Sequence, residues 1–308
     1  MPGISTIKTF TAIIAFAFAM LPSTSWAKQE LIISVAATQN SINKYRALPD
    51  TAKQVPYILN NIPAEINTRC VVGLIIIKNA LILGGIDAKF KFAQMPNVRR
   101  ETDEVAKGNA VIGSHLLSER ILETPKYKSK MYLSSEVTSH GEFQKGVYCL
   151  PENKKMMAVK NLDDLRKAGK ALIQIHWDNE YEVLTEMGIK KIEKGPTSCS
   201  LFKMLKAGRA DWIPMGFRNP PDMSIVRNGI KIVPVPGIKI CLVESRHFLI
   251  SQRHPHGKLI YDALEKGLAV MRKQGTLKKL LKQGGYTCPA ARNWTVLNAK
   301  HSSGLNDH

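Results

Sequence analysis

Two stretches far apart in this chain share one layout, and the repetition limits the folds open to it. "DEVAKGNAVIGS" (103–114) and "KMLKAGRADWIPMG" (203–216) each read as a helix end, a Lys, a glycine stop and a short apolar strand. Glycine takes the left-handed backbone that ends a helix at little cost, so Gly108 and Gly208 mark the two turns. A helix that returns at once into a buried strand belongs to a strand–helix unit, and such units build parallel sheets covered by helices. One copy closes one lobe. Two copies imply two facing lobes, and ligands collect at such sheet rims beside helix N-termini.

The rest of the chain keeps the alternation. "LIISVAATQN" (31–40) reads as a buried strand, 41–68 as irregular, and 71–84 as a buried helix ending at Gly84-Gly85. "DAKFKFAQM" (87–95) alternates as a strand should, and Pro96 opens the helix "NVRRETDEVAK" (97–107). Residues 115–150 read as loop-rich, with one strand near "MYLSS". A second series follows. Asn161 starts a short helix with acids in its first turn, where the helix dipole favours them. "ALIQIH" (171–176) is a strand. "DNEYEVLTEMG" (178–188) is a helix with Asn179 and Glu182 as its capping box. "TSCSLFKMLKAG" (197–208) is a helix capped by Thr197 or Ser198. "IKIVPV" and "KICLVESRHFLIS" are strand-like. Leu259, Ile260, Ala263, Leu264 and Leu268 then keep helical spacing, Gly275 breaks it, and Thr276 caps a last helix. The tail "KHSSGLNDH" (300–308) is expected to be disordered.

Residues 1–27 read as a signal peptide: "MPGISTIK", the apolar "TFTAIIAFAFAML", then small Ser25 and Ala27 around the cleavage point. That run is short for a membrane span, and the later apolar stretch "VVGLIIIKNALILGG" is broken by Lys78 and Asn79. The expected product is exported and soluble. The chain has 44 Lys+Arg against 25 Asp+Glu, net +19. Such a balance suits nucleic acid, an anionic membrane surface or an anionic ligand. The lysines are spread without blocks or interleaved aromatics, and export also argues against nucleic acid. Cys70, Cys149, Cys199, Cys241 and Cys288 leave at least one thiol unpaired, and spacing alone does not choose a pairing. There is no C-x-x-C, and His254-Pro255-His256 reads as a solvated helix start; neither a metal nor a cofactor is expected.

In order and spacing these segments resemble the bacterial extracellular solute-binding proteins of family 3, the periplasmic binding proteins of amino-acid-type transporters. The residues that carry the resemblance are "GIDAKFKFAQMPNVRRETDEVAKGNAVIGSHLLSER", "NLDDLRKAGKALIQIHWDNEYEVLTEMG", "LFKMLKAGRADWI" and "FLISQRHPHGKLIYDALEKGLAVMRKQGTLKKLLKQGG". The resemblance implies an α/β chain with a two-lobed periplasmic-binding-protein (type II) fold, each lobe a mostly parallel sheet flanked by helices, with two hinge crossovers. Lobe one would be 28–143 plus 243–290, lobe two 144–242, and 291–308 a C-terminal tail. Residues 142–148 and 240–245 would bend as the lobes close. The implied role is periplasmic capture of a small polar solute by a monomer, for delivery to an inner-membrane ABC permease. A sensor receptor is the alternative partner, and a filled, degenerate cleft a third reading.

Matched residue by residue, Arg120 stands where the family has the Arg that holds a substrate carboxylate, a task suited to a guanidinium fork. Ser114 lies at the first-lobe strand exit as a hydrogen-bond donor. His176, Trp177 and Asp178 occupy the second-lobe turn where amino-acid binders use Gly-Thr or Gly-Ser, with Trp177 as an aromatic wall. Thr197 and Ser198 sit at a helix start. Amino-acid binders place an acid just beyond the second lobe's strand for the ligand's ammonium; here the stretch is Pro214-Met215-Gly216-Phe217. An anionic or carboxylate-bearing solute therefore fits better than a standard α-amino acid. A serine-type enzyme is the rival class. Ser200–Lys203 matches S-x-x-K, but so do Ser41–Lys44 and Ser5–Lys8, and no K-T-G-like partner strand accompanies them. No enzymatic activity is expected.

Overall fold

The computed structural model describes residues 31–48, 69–218 and 222–299. The expected signal segment, most of the stretch read as irregular and the tail 300–308 lie outside these residues. In chain order the elements are β1 (Leu31–Thr38), α1 (Gln39–Arg46), α2 (Arg69–Leu83), β2 (Ala88–Met95), α3 (Val98–Lys107), β3 (Ile112–Gly113), β4 (Leu117–Ser118) and β5 (Met131–Leu133). Then follow β6 (Gln144–Cys149), α4 (Lys154–Met157), α5 (Leu162–Ala168), β7 (Ala171–Gln174), α6 (Asp178–Glu186), β8 (Ile192–Gly195), α7 (Ser198–Lys206) and β9 (Ile213–Gly216). The chain continues through β10 (Ile225–Arg227), β11 (Ile230–Cys241), β12 (Arg246–His247), β13 (Leu249–Ser251), α8 (Gly257–Lys273), α9 (Thr276–Gln283) and β14 (Thr295–Val296).

Two sheets follow one plan. The first runs β2-β1-β3-β13-β5. β1 is parallel to β2 and β3, while β13 is antiparallel to both β3 and β5. The second runs β10-β11-β6-β9, and β7, itself parallel to β8, meets β9 through a parallel bridge between Ala171 and Trp212. There β6 is antiparallel to both β9 and β11. In each sheet the reversed strand inside the parallel set is one that the chain lays down soon after crossing from the other sheet: β6 outbound, β13 on the return. That exchange of strands places an antiparallel member near the middle of each sheet, and in the second sheet the edge strand β10 is antiparallel to β11 as well.

The repeated helix–glycine–strand device appears in both lobes. Gly108 ends α3 at φ 89 and Gly208 follows α7 at φ 70, each in the left-handed region that a side chain disfavours. The chain then enters β3 and β9. Asn97 caps α3 through Arg100 N–H, and Asn161 caps α5 through Asp164 N–H.

Three expectations change. α1 is a helix where irregular chain is expected, because the Thr38 side chain accepts from Ser41 N–H and Ile42 and Tyr45 turn inward. The last helix is entered through Gly275 in the left-handed region rather than capped by Thr276. Residues 291–298 are not a free tail: β14 pairs with β11, and Asn298 bonds both the N–H and the carbonyl of Cys241. The chain therefore passes between the sheets a third time.

The first lobe's core surrounds α2, in which Val71, Val72 and Leu74–Ile77 are all buried. α2 packs so tightly on α8 that a Cβ at Gly267 would overlap the Ala80 carbonyl, and one at Gly84 would overlap that of Ala263. The second lobe's cores form around Trp212, Leu165 and Ile173 on one side and Tyr148, Phe202 and Phe217 on the other. No helix among the described residues is long and apolar enough to cross a membrane.

Candidate functional site

The floor between the lobes is built by both crossovers and by α6. Phe143, just before β6, has the Arg246 guanidinium 4.1 Å and the Arg69 guanidinium 4.7 Å from its ring centroid. Lys145 Nζ lies 4.1 Å from the Trp177 centroid and is paired with Glu180. Arg246 is paired with Glu244, whose second oxygen accepts from Asn179. Cations over aromatic faces gain most where water is excluded, and this floor is dry: Lys145, Glu180 and Glu244 are all buried.

Among the described residues the charges do not balance locally: Arg69, Lys145 and Arg246 face Glu180 and Glu244. Arg69 donates to the Gly285 carbonyl at 2.8 Å, and its shielded Nε has no hydrogen-bond partner among the described residues; nor has the Nε of Arg246. Burial, reinforced by Arg218 and Arg246 nearby, pulls the Arg69 guanidinium down to about 10. Burial works to raise Glu180, but Lys145 and Arg246 outweigh it and hold its carboxyl below the usual carboxylate range.

A carboxyl lowered by folding stabilises the fold above its unfolded pKa of about 4.3, and that stability is lost as pH falls through the lowered value. The Glu180 contribution to the melting temperature is therefore expected to be constant with pH near neutrality and to fall away in acid, below about pH 4. Thermal unfolding from pH 7 to pH 3 checks this, with Glu180→Gln expected to flatten the acid limb; equal limbs would contradict it.

The expected site residues separate into groups. Arg120 stands half-exposed, paired with Glu182 of the second lobe and 3.9 Å from Glu123. Its bond with Glu182 raises its pKa. Ser114 is fully buried; its hydroxyl and the neighbouring His115 N–H and Nδ1 all engage the buried carboxylate of Glu101. Trp177 lines the floor, while His176 and Asp178 beside it are exposed. Thr197 is the α7 cap and forms a capping box with Ser200; Ser198 bonds Gln174. The Ser200 hydroxyl of the S-x-x-K match thus lies within a helix cap.

Asn179 and Glu182 do not form the expected capping box. Trp177 holds the N-cap position without a side-chain bond, and Asn179 and Glu182 turn to Glu244 and Arg120. Phe143, Lys145 and Glu244 fall in the expected hinge segments 142–148 and 240–245, but no motif marks them, or Arg69, Glu180 and Arg246, as site residues. A Lys in a hinge strand and an Arg opening an apolar helix are the only local hints. Over Gly216, where an acid is expected and missing, lies the Arg69 guanidinium: a Cβ there would overlap it. Cys149, Cys199, Cys241 and Cys288 are free thiols, and burial pushes Cys149 up to about 12 and Cys241 up to about 11. Among the described residues no group of His, Cys, Asp and Glu could hold a metal ion.

No family model matches this chain, and no curated protein matches it by sequence. Solved structures do. The probable amino-acid ABC transporter extracellular-binding protein YtmK from Bacillus subtilis is 18% identical, with 84% of this chain and 100% of that chain covered and a TM-score of 0.53. The ancestral cationic amino acid solute-binding protein AncCDT-1 is 18% identical over 70% of this chain and 85% of that chain, TM-score 0.46. A histidine kinase sensor domain with similarity to periplasmic binding proteins is 16% identical over 82% of this chain and 94% of that chain, TM-score 0.46. Two sheets of one plan, the strands exchanged between them and the likeness to YtmK lead to one conclusion: this chain has the two-lobed α/β fold of the type II periplasmic binding proteins, the fold that its family 3 resemblance implies.

Proposed function

We propose that this chain is an exported, monomeric periplasmic solute-binding protein. It takes a small anionic or carboxylate-bearing solute between its lobes and delivers it to an inner-membrane ABC permease. The observation that carries the reading is the excess of cations on the floor among the described residues: Arg69, Lys145 and Arg246 against Glu180 and Glu244, with two guanidinium Nε atoms that have no hydrogen-bond partner among those residues. An uncompensated charge in a dry site is costly, and an anion from solution offsets that cost. Arg120 supplies a further fork for a carboxylate. YtmK's description as a probable ABC transporter binding protein supports the transport role.

The experiment is a thermal-shift screen of residues 28–308 against mono- and dicarboxylates, phosphate, sulfate and the standard amino acids. A ligand at a hundred times its Kd adds about 2.7 kcal/mol. That raises Tm by roughly 4–5 °C in a chain of this size. Carboxylates or inorganic anions are expected to give the shift. Stabilisation by neutral or cationic amino acids alone would overturn the anionic reading.

A further inference from the structure

One face of α6 makes contacts outside the second lobe's own core. Asn179 reaches Glu244 in the second crossover and Glu180 reaches Lys145 in the hinge strand, while Glu182 reaches Arg120 in the first lobe. Val183 packs against the cores of both lobes. These spacings fall on one side of a helix, so a single rigid element carries all four contacts. The outermost is unlike the others. Arg120 and Glu182 are 44% and 45% exposed, so this pair can part and return to water at little cost.

A guanidinium offers a limited set of N–H donors, and Nη1 of Arg120 already donates to a carboxylate. A solute carboxylate arriving from solution would seek the same fork and meet the negative charge already there. We infer that Glu182 is an internal competitor: it occupies Arg120 when no solute is bound and thereby sets the affinity for carboxylate solutes. The affinity effect rests on the carboxylate reading above; the masking of Arg120 by Glu182 does not. Glu123 gives the internal comparison. It lies 3.9 Å from Nε of the same arginine but belongs to the same lobe, on the same short helical turn.

The test compares Glu182→Gln with Glu123→Gln in the full mature chain, with two readouts. Calorimetry with succinate is expected to give a Kd about two- to fivefold tighter for Glu182→Gln than for wild type, the factor that the loss of an exposed ion pair allows. Glu123→Gln is expected to change it less. The second readout needs no ligand: phenylglyoxal modifies accessible guanidinium groups, and peptide mapping follows Arg120 alone. Arg120 is expected to react about two- to fivefold faster in Glu182→Gln than in wild type or Glu123→Gln. Equal reactivity of Arg120 in all three proteins overturns the inference, as does succinate binding that Glu182→Gln leaves unchanged or weakens. Faster modification without succinate binding to any of the three would remove the carboxylate reading and leave the masking of Arg120 by Glu182 standing.

Discussion

Replacing Lys145 with methionine is expected to cost about 3–5 kcal/mol of stability, although the new side chain fills much of the same space. The loss comes from what remains: Glu180 stays buried with its charge and without its closest partner. Arg246 lies near enough to help hold that charge, which places the cost toward the lower end of the range. The double variant Lys145→Met, Glu180→Leu removes both charges from the dry floor and is expected to recover most of the loss, since an apolar pair of similar volume replaces a buried ion pair at little net cost. Urea unfolding of the two single variants and the double variant measures the coupling. A loss under about 1 kcal/mol for Lys145→Met would mean that water reaches Glu180 and that the floor is not dry.

Gly267→Val should be comparably damaging, for a reason that owes nothing to charge. Glycine within a helix normally costs about 1 kcal/mol relative to alanine, so a substitution in α8 would ordinarily stabilise. Here the added Cβ meets the Ala80 carbonyl on α2, a backbone atom that cannot rotate away. Overpacking of this kind costs about 1–3 kcal/mol and more where the backbone itself must move, and valine adds two methyl groups beyond the Cβ. Lys266→Ala, one residue earlier and exposed, is expected to stay within about 0.5 kcal/mol of wild type. The denaturation midpoints in urea compare them. If Gly267→Val unfolds at the wild-type midpoint, α2 and α8 are not in the close contact described.

Much of the fold is legible in the chain because local signals coincide there with tertiary demands. Gly108 and Gly208 end helices by backbone conformation alone, and Asn97 and Asn161 cap by a hydrogen bond within one turn. β6 is harder to see. "QKGVYC" shows no alternation because both of its faces are covered, and its Lys145 reads as a surface residue until Glu180 is brought to it. The Asn179–Glu182 pattern misleads for the same reason: the spacing suits a capping box, but partners distant in sequence, Glu244 and Arg120, take the two side chains. The candidate site is legible only at its rim. Arg120 and Trp177 stand near strand ends, where the repeated layout directs attention. Arg69 and Arg246 are separated by most of the chain and converge on Phe143 only in the folded molecule.

The return of the C-terminal segment to the second sheet has a practical consequence for watching this molecule move. Ile32 is exposed at the start of β1 in the first sheet, and Thr295 is exposed on β14 in the second. Probes attached near the two ends of the described chain would thus ride on opposite jaws, and the separation between them would be a ruler for the opening angle, with no label placed in the cleft.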